Sequence, residues 1–305
     1  MGPVRAAFHP DYAVELPANH PFPMRKFPLL AGILRREGLV RDDEWIEPEE
    51  VEWETLALAH TDRYLDALRH GTLGDAEIRR LGLPWSPALV RRSRLATRGS
   101  IEACLAALED GLAANLGGGT HHALPDGGEG FCVINDIAVA VRWLRREGYL
   151  GRVLLCDLDV HHGNGNAVAF AADPETYTFS MHGARNFPLR KPPSDRDVPL
   201  EDGTGDDEYL AILARELPEA IGEARPELVI YLGGVDVVAG DRFGRLALTP
   251  AGLRAREELV LETAARHGLP MALTLSGGYA ATPERTADFH AEIHRVAARR
   301  SGRVS

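Results

Sequence analysis

The segment CDLDVHHGNG, residues 156–165, places two carboxylates and two imidazoles within six positions, directly after the apolar run GRVLL. Side chains two positions apart in an extended chain point to the same side, which predicts a common direction for Asp157, Asp159 and His161. Charged groups leave water only where something compensates their charge. A cluster of this density at the end of a predicted strand therefore indicates a functional site rather than ordinary charged residues at the surface.

A second carboxylate follows another apolar run, in the motif GGVD that ends at Asp236. Asp159, His161 and Asp236 together would form a three-ligand site for a divalent metal with one position open, the pattern of catalytic rather than structural zinc. Two carboxylates roughly neutralise the metal, so its water would be acidified less than at an all-histidine site. Such a site needs a separate general base. Iron(II) fits this ligand set almost as well as zinc.

Two glycine-rich segments supply candidates for the remaining chemistry. NLGGGTHHALPDGGEGFC, residues 115–132, carries His121 and His122, and this pair could supply the general base. The segment SGGY carries Tyr279, whose hydroxyl could donate a hydrogen bond to an oxyanion. Taken singly, Asp236 also fits a helix cap or a turn, Tyr279 fits packing, and the paired histidines fit a structural role. Their convergence at the ends of predicted strands favours catalysis.

These residues need a scaffold that brings distant segments together. From about residue 90 onward, short apolar runs alternate with amphipathic stretches, which predicts a parallel sheet covered on both faces by helices. The carboxyl ends of such strands face one crevice, where the candidate residues would meet. The first 90 residues are expected to be helical and loop-rich. The predicted strands lie in residues 152–160, 175–183, 227–236 and 270–280, and the clearest helices in 27–38, 134–148, 206–224 and 249–268.

Length and composition bound the class of protein. The chain has 305 residues, of which 45% are hydrophobic, and it shows no linker or repeat, which predicts one domain over residues 1–305. A net charge of −11 without a basic block argues against a nucleic-acid partner but tolerates a cationic substrate. Cys104, Cys132 and Cys156 lack CxxC spacing, which favours a reducing cytoplasm. No apolar run is long enough for a membrane span and no signal peptide is recognisable, so no membrane association is expected.

Five motifs, in this order along the chain, closely resemble the histone deacetylase family of zinc hydrolases: GGGTHHA, GFCVINDIAVA, DLDVHHGNG, GGVDVVAGDRFGRL and LSGGYA. The segments FHPDYAVELPANHPFPMRKF and NFPLRKPPSDRDVPLEDGTGDDEYL look most like those of bacterial, class IV-like members. The resemblance extends from about residue 7 to residue 295. It implies a single three-layer α/β/α domain with a central, mostly parallel sheet, similar to the arginase/deacetylase fold.

The resemblance also implies two cation sites. Asp159, His161 and Asp236 match the family's zinc ligands. A structural potassium ion would be surrounded by Asp159, by Ser180 and by the main-chain carbonyls of Asp157, His161 and Met181.

Catalytic and substrate-binding roles follow from the same resemblance. His121 and His122 match the family's tandem histidines, of which His122 would be the principal general base and acid. Asp157 matches the carboxylate that hydrogen-bonds the first histidine, and Tyr279 matches the tyrosine that polarises the scissile carbonyl. The walls of the acyl-lysine tunnel would be formed by Gly130, Phe131 and Phe187.

The chain departs from the commoner family pattern at two places. Where many members pair the second histidine with aspartate, this chain has Asn164, which class IV-like members share; His162 and Asn164 would support the site from behind. An amide cannot stabilise an imidazolium as a carboxylate can, so His122 is expected to be less basic than in aspartate-bearing relatives. The segment GDAEIRRLGLPWSP, residues 74–87, offers no obvious match to the acidic loop residue with which many members grip the substrate backbone.

The expected activity is hydrolysis of an N-acyl amide, with an Nε-acyl-lysine protein or peptide as the substrate. Three alternatives share the same residues: an amidohydrolase of acetylated polyamines or other small acylated amines, a deacylase of long acyl chains, and a non-catalytic acyl-lysine binding module. A binuclear manganese hydrolase on an arginase-like fold would need a second ligand set around DLDVHH, which the sequence does not offer. The sequence does not indicate the oligomeric state.

Overall fold

A computed structural model describes residues 4–302 of the chain. Its centre is an eight-stranded sheet in which every pairing of neighbouring strands is parallel. The strands are β1 (Arg5–Ala7), β2 (Trp45–Ile46), β3 (Leu112–Asn115), β4 (Val153–Asp157), β5 (Thr176–Gly183), β6 (Arg196–Leu200), β7 (Leu228–Leu232) and β8 (Met271–Thr274). Their spatial order is β2-β1-β3-β8-β7-β4-β5-β6.

The helices of the described region connect these strands or precede them. They are α1 (Lys26–Arg36), α2 (Trp53–Leu56), α3 (Asp62–His70), α4 (Asp75–Leu81), α5 (Pro87–Asp110), α6 (Asp136–Arg146), α7 (Asn164–Phe170), α8 (Asp206–Ala224), α9 (Pro250–Arg266) and α10 (Pro283–Arg300). Two short 3₁₀ helices cover Pro10–Tyr12 and Asp42–Glu44. Three of the long helices begin with the same signal: α5, α9 and α10 each have a Ser or Thr N-cap followed by proline.

The core consists of two apolar clusters, one on each face of the sheet. Alternate residues of β4 belong to different clusters, with Leu154 and Cys156 in one and Val153 and Leu155 in the other. This alternation is what the two-residue period of a strand produces when both faces are buried. The first cluster includes residues of α1, α8, α9 and α10, and the second includes residues of α3, α5 and α6. The three-layer α/β/α domain expected from the sequence is confirmed.

Four strands were not predicted, namely β1, β2, β3 and β6. Two of them, β1 and β2, lie within the first 90 residues, which were expected to be helical and loop-rich. All four strands are short, with two to five residues. In addition, β1 (RAA) and β3 (LAAN) contain no β-branched or aromatic residue, so the sequence of these two gives no local indication of a strand. The prediction of one domain over residues 1–305 includes end residues that lie outside the described range.

The order of the strands brings the motif segments to one edge. The adjacent strands β3, β8, β7 and β4 are followed, respectively, by the segments that carry His121, Tyr279, Asp236 and Asp159. All four segments therefore leave the sheet at the carboxyl ends of neighbouring parallel strands. A search of the described helices finds none that is long and apolar enough to cross a membrane.

Candidate metal centre and active site

The three predicted metal ligands lie together in the interior. Ligand atoms of Asp159, His161 and Asp236 all lie within 4.8 Å of one another. His161 Nδ1 is 3.0 Å from Asp159 Oδ1 and 3.2 Å from Asp236 Oδ2. The two aspartates are completely inaccessible to solvent and His161 is 8% exposed. Two carboxylates at this depth need a positive partner, and a divalent cation would provide it.

Two observations support the fit of a metal to these residues. Within the described chain, Asp236 Oδ2 is buried and accepts no hydrogen bond of good geometry, so a ligand atom is left for a cation. Gly277 lines the same spot and donates its N–H to Asp159 Oδ2 at 2.6 Å. A Cβ atom at Gly277 would fall 2.0 Å from Asp236 Oδ2, so only glycine leaves room beside both carboxylates.

Metal binding is expected to release a proton from His161. Burial lowers the pKa of this imidazole, but its contacts with the carboxylates of Asp159 and Asp236 outweigh burial and raise the pKa to about 10. At pH 7, below that pKa, the metal-free imidazole carries a proton that a cation must displace. Zinc affinity should therefore increase about tenfold per pH unit between pH 7 and 8, with about one proton released per metal. Calorimetry in buffers of different ionisation enthalpy measures this release, and a pH-independent affinity would contradict it.

A buried arginine fixes the two loops that carry the carboxylates. The guanidinium of Arg256 is fully inaccessible and donates to the carbonyl oxygens of Gly234 at 2.7 Å and Leu158 at 3.2 Å. Glu257 forms an ion pair with the same guanidinium and accepts a hydrogen bond from Tyr231 at 2.8 Å. Arg256 therefore ties the loop after β4 to the loop after β7. Arg256 could not be predicted as a site residue, because it lies on helix α9, outside every motif.

The tandem histidines lie side by side next to the metal cluster, with their rings tilted by 43° relative to one another. The rings of His121 and His122 are 4.0 Å apart, and the ring of His122 is 5.8 Å from that of His161. His121 Nδ1 lies 2.6 Å from Asp157 Oδ2, as expected from the family resemblance. Burial lowers the pKa of His121, but the charges of Asp157 and Asp159 outweigh it and raise the pKa to about 9. His121 therefore carries a positive charge at neutral pH.

His122 is held in one tautomer by Asn164. The amide oxygen of Asn164 lies 2.6 Å from His122 Nδ1, and the amide nitrogen of Asn164 donates to Glu129 Oε2 at 3.1 Å. Because the Glu129 carboxylate accepts only, the amide oxygen faces His122 and receives the Nδ1 proton, which leaves Nε2 free as a base. Burial and the charges of His121 and His161 lower the pKa of His122 well below its usual range. Glu129 was not predicted as a site residue, because the motifs recognised in the sequence assign it no catalytic or metal-binding role.

Replacing Asn164 with aspartate is expected to move the acidic limb of the kcat/KM–pH profile to higher pH by about one unit. A carboxylate beside Nδ1 stabilises the imidazolium, so His122 would keep its proton to a higher pH and act as a base only above it. Glu129 lies 3.1 Å from the replaced amide group and would repel a second carboxylate. The profile is therefore measured for Asn164→Asp with and without Glu129→Gln, and an unmoved limb in both would contradict the expectation.

Tyr279 is positioned by the segment that follows Asp236. Its N–H donates to Asp241 Oδ2 at 2.7 Å and its carbonyl accepts from the N–H of Arg242 at 3.2 Å. Its ring packs edge-on against Phe243 at 4.9 Å and lies 6.5 Å from the His161 ring. Burial and the charges of Asp236 and Asp159 raise the pKa of Tyr279 well above its usual range. The phenol therefore keeps its proton and can donate it in a hydrogen bond.

A buried lysine lies behind Tyr279. The ammonium of Lys26 donates to the carbonyl of Ser276 at 2.9 Å and is 5.8 Å from the centre of the Tyr279 ring. Burial lowers the pKa of Lys26 to about 8, against the opposing charges of Asp236 and Asp159. Lys26 could not be predicted as a site residue, because it directly precedes the predicted helix 27–38 and belongs to none of the five site motifs. It adds a positive charge to a region that contains several carboxylates.

The predicted tunnel residues surround the entrance to this cluster. Gly130 and Phe131 have positive φ angles of 55° and 67°, and the Phe131 N–H donates to the carbonyl of Leu81 at 2.8 Å. A Cβ at Gly130 would fall 2.7 Å from a ring carbon of His122, which leaves glycine as the residue that fits. The ring of Phe187 is perpendicular to that of His122 at 4.9 Å. A cavity of about 430 Å³ is lined by Gly130, Phe131, Phe187, Phe243, His122, His161 and Tyr279, among others.

His162 lies apart from the tandem histidines. Its Nε2 is 3.0 Å from Asp197 Oδ1, and its ring packs at 4.7 Å against the ring of His182. Its backbone N–H donates to the carbonyl of Phe187 at 3.1 Å. His162 therefore supports the tunnel wall, whereas Asn164 contacts His122 directly.

The five residues expected around potassium lie in the neighbouring strands β4 and β5 and in the loop that follows β4. Asp157 of β4 is the register partner of Ser180 in β5, and Asp159 donates its N–H to Asp157 Oδ1 at 3.1 Å. All five are buried: Asp157, Asp159, His161, Ser180 and Met181. This arrangement brings the expected ligand residues into one region.

A parallel sheet with a carboxylate–imidazole cluster and a histidine pair at the carboxyl ends of its strands defines a candidate metal-dependent hydrolase. Residues 20–294 match the sequence model of the histone deacetylase domain. An uncharacterised protein of Picosynechococcus sp. is 44% identical over 95% of this chain and 97% of its own length. Histone deacetylase 2 of Arabidopsis thaliana is 30% identical over 85% of this chain and 70% of its own length.

Solved structures agree with the sequence comparisons. The crystal structure of a histone deacetylase homologue complexed with SAHA superposes with a TM-score of 0.83 and 26% identity, over 99% of this chain and 84% of that one. The chain belongs to the histone deacetylase family. The resemblance recognised from the five motifs is thereby confirmed, as is the fold that it implied.

Proposed function

We propose that this protein is a zinc-dependent amidohydrolase that removes the acyl group from Nε-acyl-lysine. One observation carries the proposal: His122, His161 and Tyr279 line a single cavity, next to two buried carboxylates. Membership of the histone deacetylase family supports a deacetylase activity in general. Beyond this general activity, we propose zinc as the metal and Nε-acyl-lysine as the substrate.

Asp159, His161 and Asp236 would hold the metal, for which zinc is proposed and iron(II) is the alternative. A divalent cation bound there would polarise the acyl carbonyl and lower the pKa of a water molecule. The donor set fits this role, since it combines one imidazole with two carboxylates and leaves Asp236 Oδ2 without a hydrogen bond in the described chain. A structural potassium ion is proposed among Asp157, Asp159, His161, Ser180 and Met181.

The chain's own residues carry the proton transfers. His122 Nε2 removes a proton from the attacking water, and the resulting imidazolium returns that proton to the departing amine nitrogen. Tyr279 donates a hydrogen bond to the oxygen of the acyl carbonyl as negative charge develops on it. His121, charged and bound to Asp157, stabilises that negative charge and holds the neighbouring ring in place. Phe131 and Phe187 would flank the lysine side chain.

The proposal also covers the extent of the catalytic domain and the cellular compartment. The catalytic domain is proposed to comprise residues 1–305, and the protein is proposed to act in the cytoplasm. Three buried cysteines without a disulfide, Cys104, Cys132 and Cys156, support a reducing compartment.

Turnover against a panel of acyl amides tests the proposal. The panel contains acetyl-, octanoyl- and myristoyl-lysine peptides and acetylated polyamines, and each is assayed with metal-analysed protein and with His122→Ala as the control. Hydrolysis of acyl-lysine that is lost in the control would support the proposal. Preference for acetylated polyamines would show that they, rather than acyl-lysine, are the substrate. Preference for octanoyl- or myristoyl-lysine would identify the enzyme as a long-chain deacylase. One bound metal without any turnover would overturn the enzyme assignment in favour of a binding module.

A further inference from the structure

The mouth of the active-site cavity is lined by arginines. Four of them border the cavity of about 430 Å³ that leads to His122 and Tyr279: Arg79, Arg80, Arg185 and Arg245. No aspartate or glutamate of the described chain lines the same cavity. This positive rim contrasts with the net charge of −11 of the whole protein. A local charge opposite to the global one selects what enters a cleft more strongly than the overall charge does.

Two of these arginines are neutralised and two are not. Arg245 lies 3.2 Å from Asp202, and Arg185 lies 3.7 Å from the same carboxylate and 4.0 Å from Glu201. In the described part of the chain, neither Arg79 nor Arg80 forms an ion pair, and both residues are exposed. Glu77, on the same helix, is bound to Arg63 at 2.9 Å. The arginines at the mouth that have no ion-pair partner in the described chain are therefore Arg79 and Arg80.

The arginine pair is attached directly to the tunnel wall. The carbonyl of Arg80 accepts from the Gly130 N–H at 3.3 Å, and the carbonyl of Leu81 accepts from the Phe131 N–H at 2.8 Å. The guanidinium of Arg80 lies over Gly127, where a Cβ atom would fall 2.0 Å from its Nη2. Arg79 and Arg80 thus lie in the last turn of helix α4, beside the point where a substrate would emerge from between Phe131 and Phe187. They occupy the segment 74–87, which offers no obvious match to the family's acidic loop residue that grips the substrate backbone.

We propose that Arg79 and Arg80 form an anion subsite that selects acyl amides whose amine portion carries a carboxylate outside the tunnel. The inference rests on the proposed function, since it names the substrate class of that same site. A guanidinium pairs with a carboxylate through two parallel hydrogen bonds, which neither a polyamine nor a basic peptide can accept. Carboxylate-bearing acyl amines are thereby favoured over acetylated polyamines, and an acidic peptide or a free acyl-amino acid supplies the same group.

The test compares three acetyl substrates that differ in charge: Nα-capped Nε-acetyl-lysine with a free carboxylate, its methyl amide, and an acetylated polyamine. The wild-type protein is expected to prefer the carboxylate over the amide by roughly tenfold to a hundredfold in kcat/KM, mainly through KM. Raising the salt concentration from 0.05 to 0.5 M should weaken this preference and leave the methyl amide unaffected. A peptide with aspartate beside the acetyl-lysine distinguishes an acidic peptide from the free carboxylate as the source of the anion.

We expect the ratio of kcat/KM for the carboxylate substrate to kcat/KM for the methyl amide to fall stepwise towards one in Arg79→Gln, Arg80→Gln and the double variant. The value of kcat/KM for the methyl amide should stay within about twofold of the wild type. Arg215→Gln serves as the matched control, because that side chain is 61% exposed on α8 and does not line the cavity. A wild-type ratio of one or less, or a ratio that survives both substitutions, would overturn the subsite. If the double variant fails to fold, the single variants and the salt series decide. Absence of turnover on all three substrates would overturn the proposed function itself, and the subsite with it.

Discussion

Replacing Tyr279 with phenylalanine is expected to lower kcat by roughly 10² to 10³-fold, as the loss of one oxyanion donor does in other hydrolases. The hydroxyl is the only part removed, and burial together with the charges of Asp236 and Asp159 keeps it protonated in the native protein. Packing against Phe243 at 4.9 Å depends on the ring alone and should persist. Steady-state kinetics on an acetyl-lysine peptide measure the loss, with little change in KM.

Two controls make this result specific. Metal content should stay at the wild-type level, because Tyr279 is not among the residues that would hold the cation. The matched variant Tyr177→Phe removes a hydroxyl that contacts Glu223 on the protein surface, and its kcat should be unchanged. A kcat for Tyr279→Phe close to that of the wild type would contradict the role of the hydroxyl.

Removing the imidazole of His122 is expected to have a comparable or larger effect, a loss of roughly 10² to 10⁴-fold in kcat for His122→Ala. Nε2 of this ring is free to accept a proton because Nδ1 is bound to Asn164 at 2.6 Å. Burial and neighbouring positive charge lower its pKa, so the ring is unprotonated and active as a base throughout the neutral range. The remaining activity should lose the acidic limb of its pH profile, since the group that titrates there is gone.

Comparison with His121→Ala separates the two histidines. The first ring is bound to Asp157 at 2.6 Å and is charged at neutral pH, so it cannot accept a proton from water. His121→Ala should therefore keep an acidic limb while its kcat falls. If His121→Ala abolishes the limb and His122→Ala retains it, the assignment of the general base is reversed.

Strands with a strong local signal could be predicted from the sequence, and weak ones could not. VLLCD in β4 and LVIYL in β7 are rich in branched and aromatic residues and lie buried on both faces. RAA in β1 and LAAN in β3 become strands only because a neighbouring strand and the helices above them provide hydrogen bonds and burial. Tertiary context, rather than local propensity, forms that side of the sheet.

A similar division applies to the site. Motif residues such as Asp159 and His122 were predictable because their types suit the chemistry and their segments follow central strands. The residues that position these side chains were not predictable, because no regular spacing in the sequence connects them to the motifs. Arg256 acts from α9 on two loops, 98 positions from Leu158 and 22 from Gly234. Glu129 influences His122 indirectly, by accepting a hydrogen bond from the amide of Asn164, whose oxygen contacts His122.

Metal-dependent turnover on a neutral acetyl-lysine substrate is the measurement to make first. The protein is stripped with a chelator, reconstituted with increasing zinc or iron(II), and assayed after the bound metal has been quantified. We expect no turnover without metal, and activity that rises in proportion to occupancy and saturates at one catalytic metal per chain. Full activity in the stripped protein, or a fully loaded protein that hydrolyses no acyl amide, would contradict the account of this site as a metal-dependent deacylase.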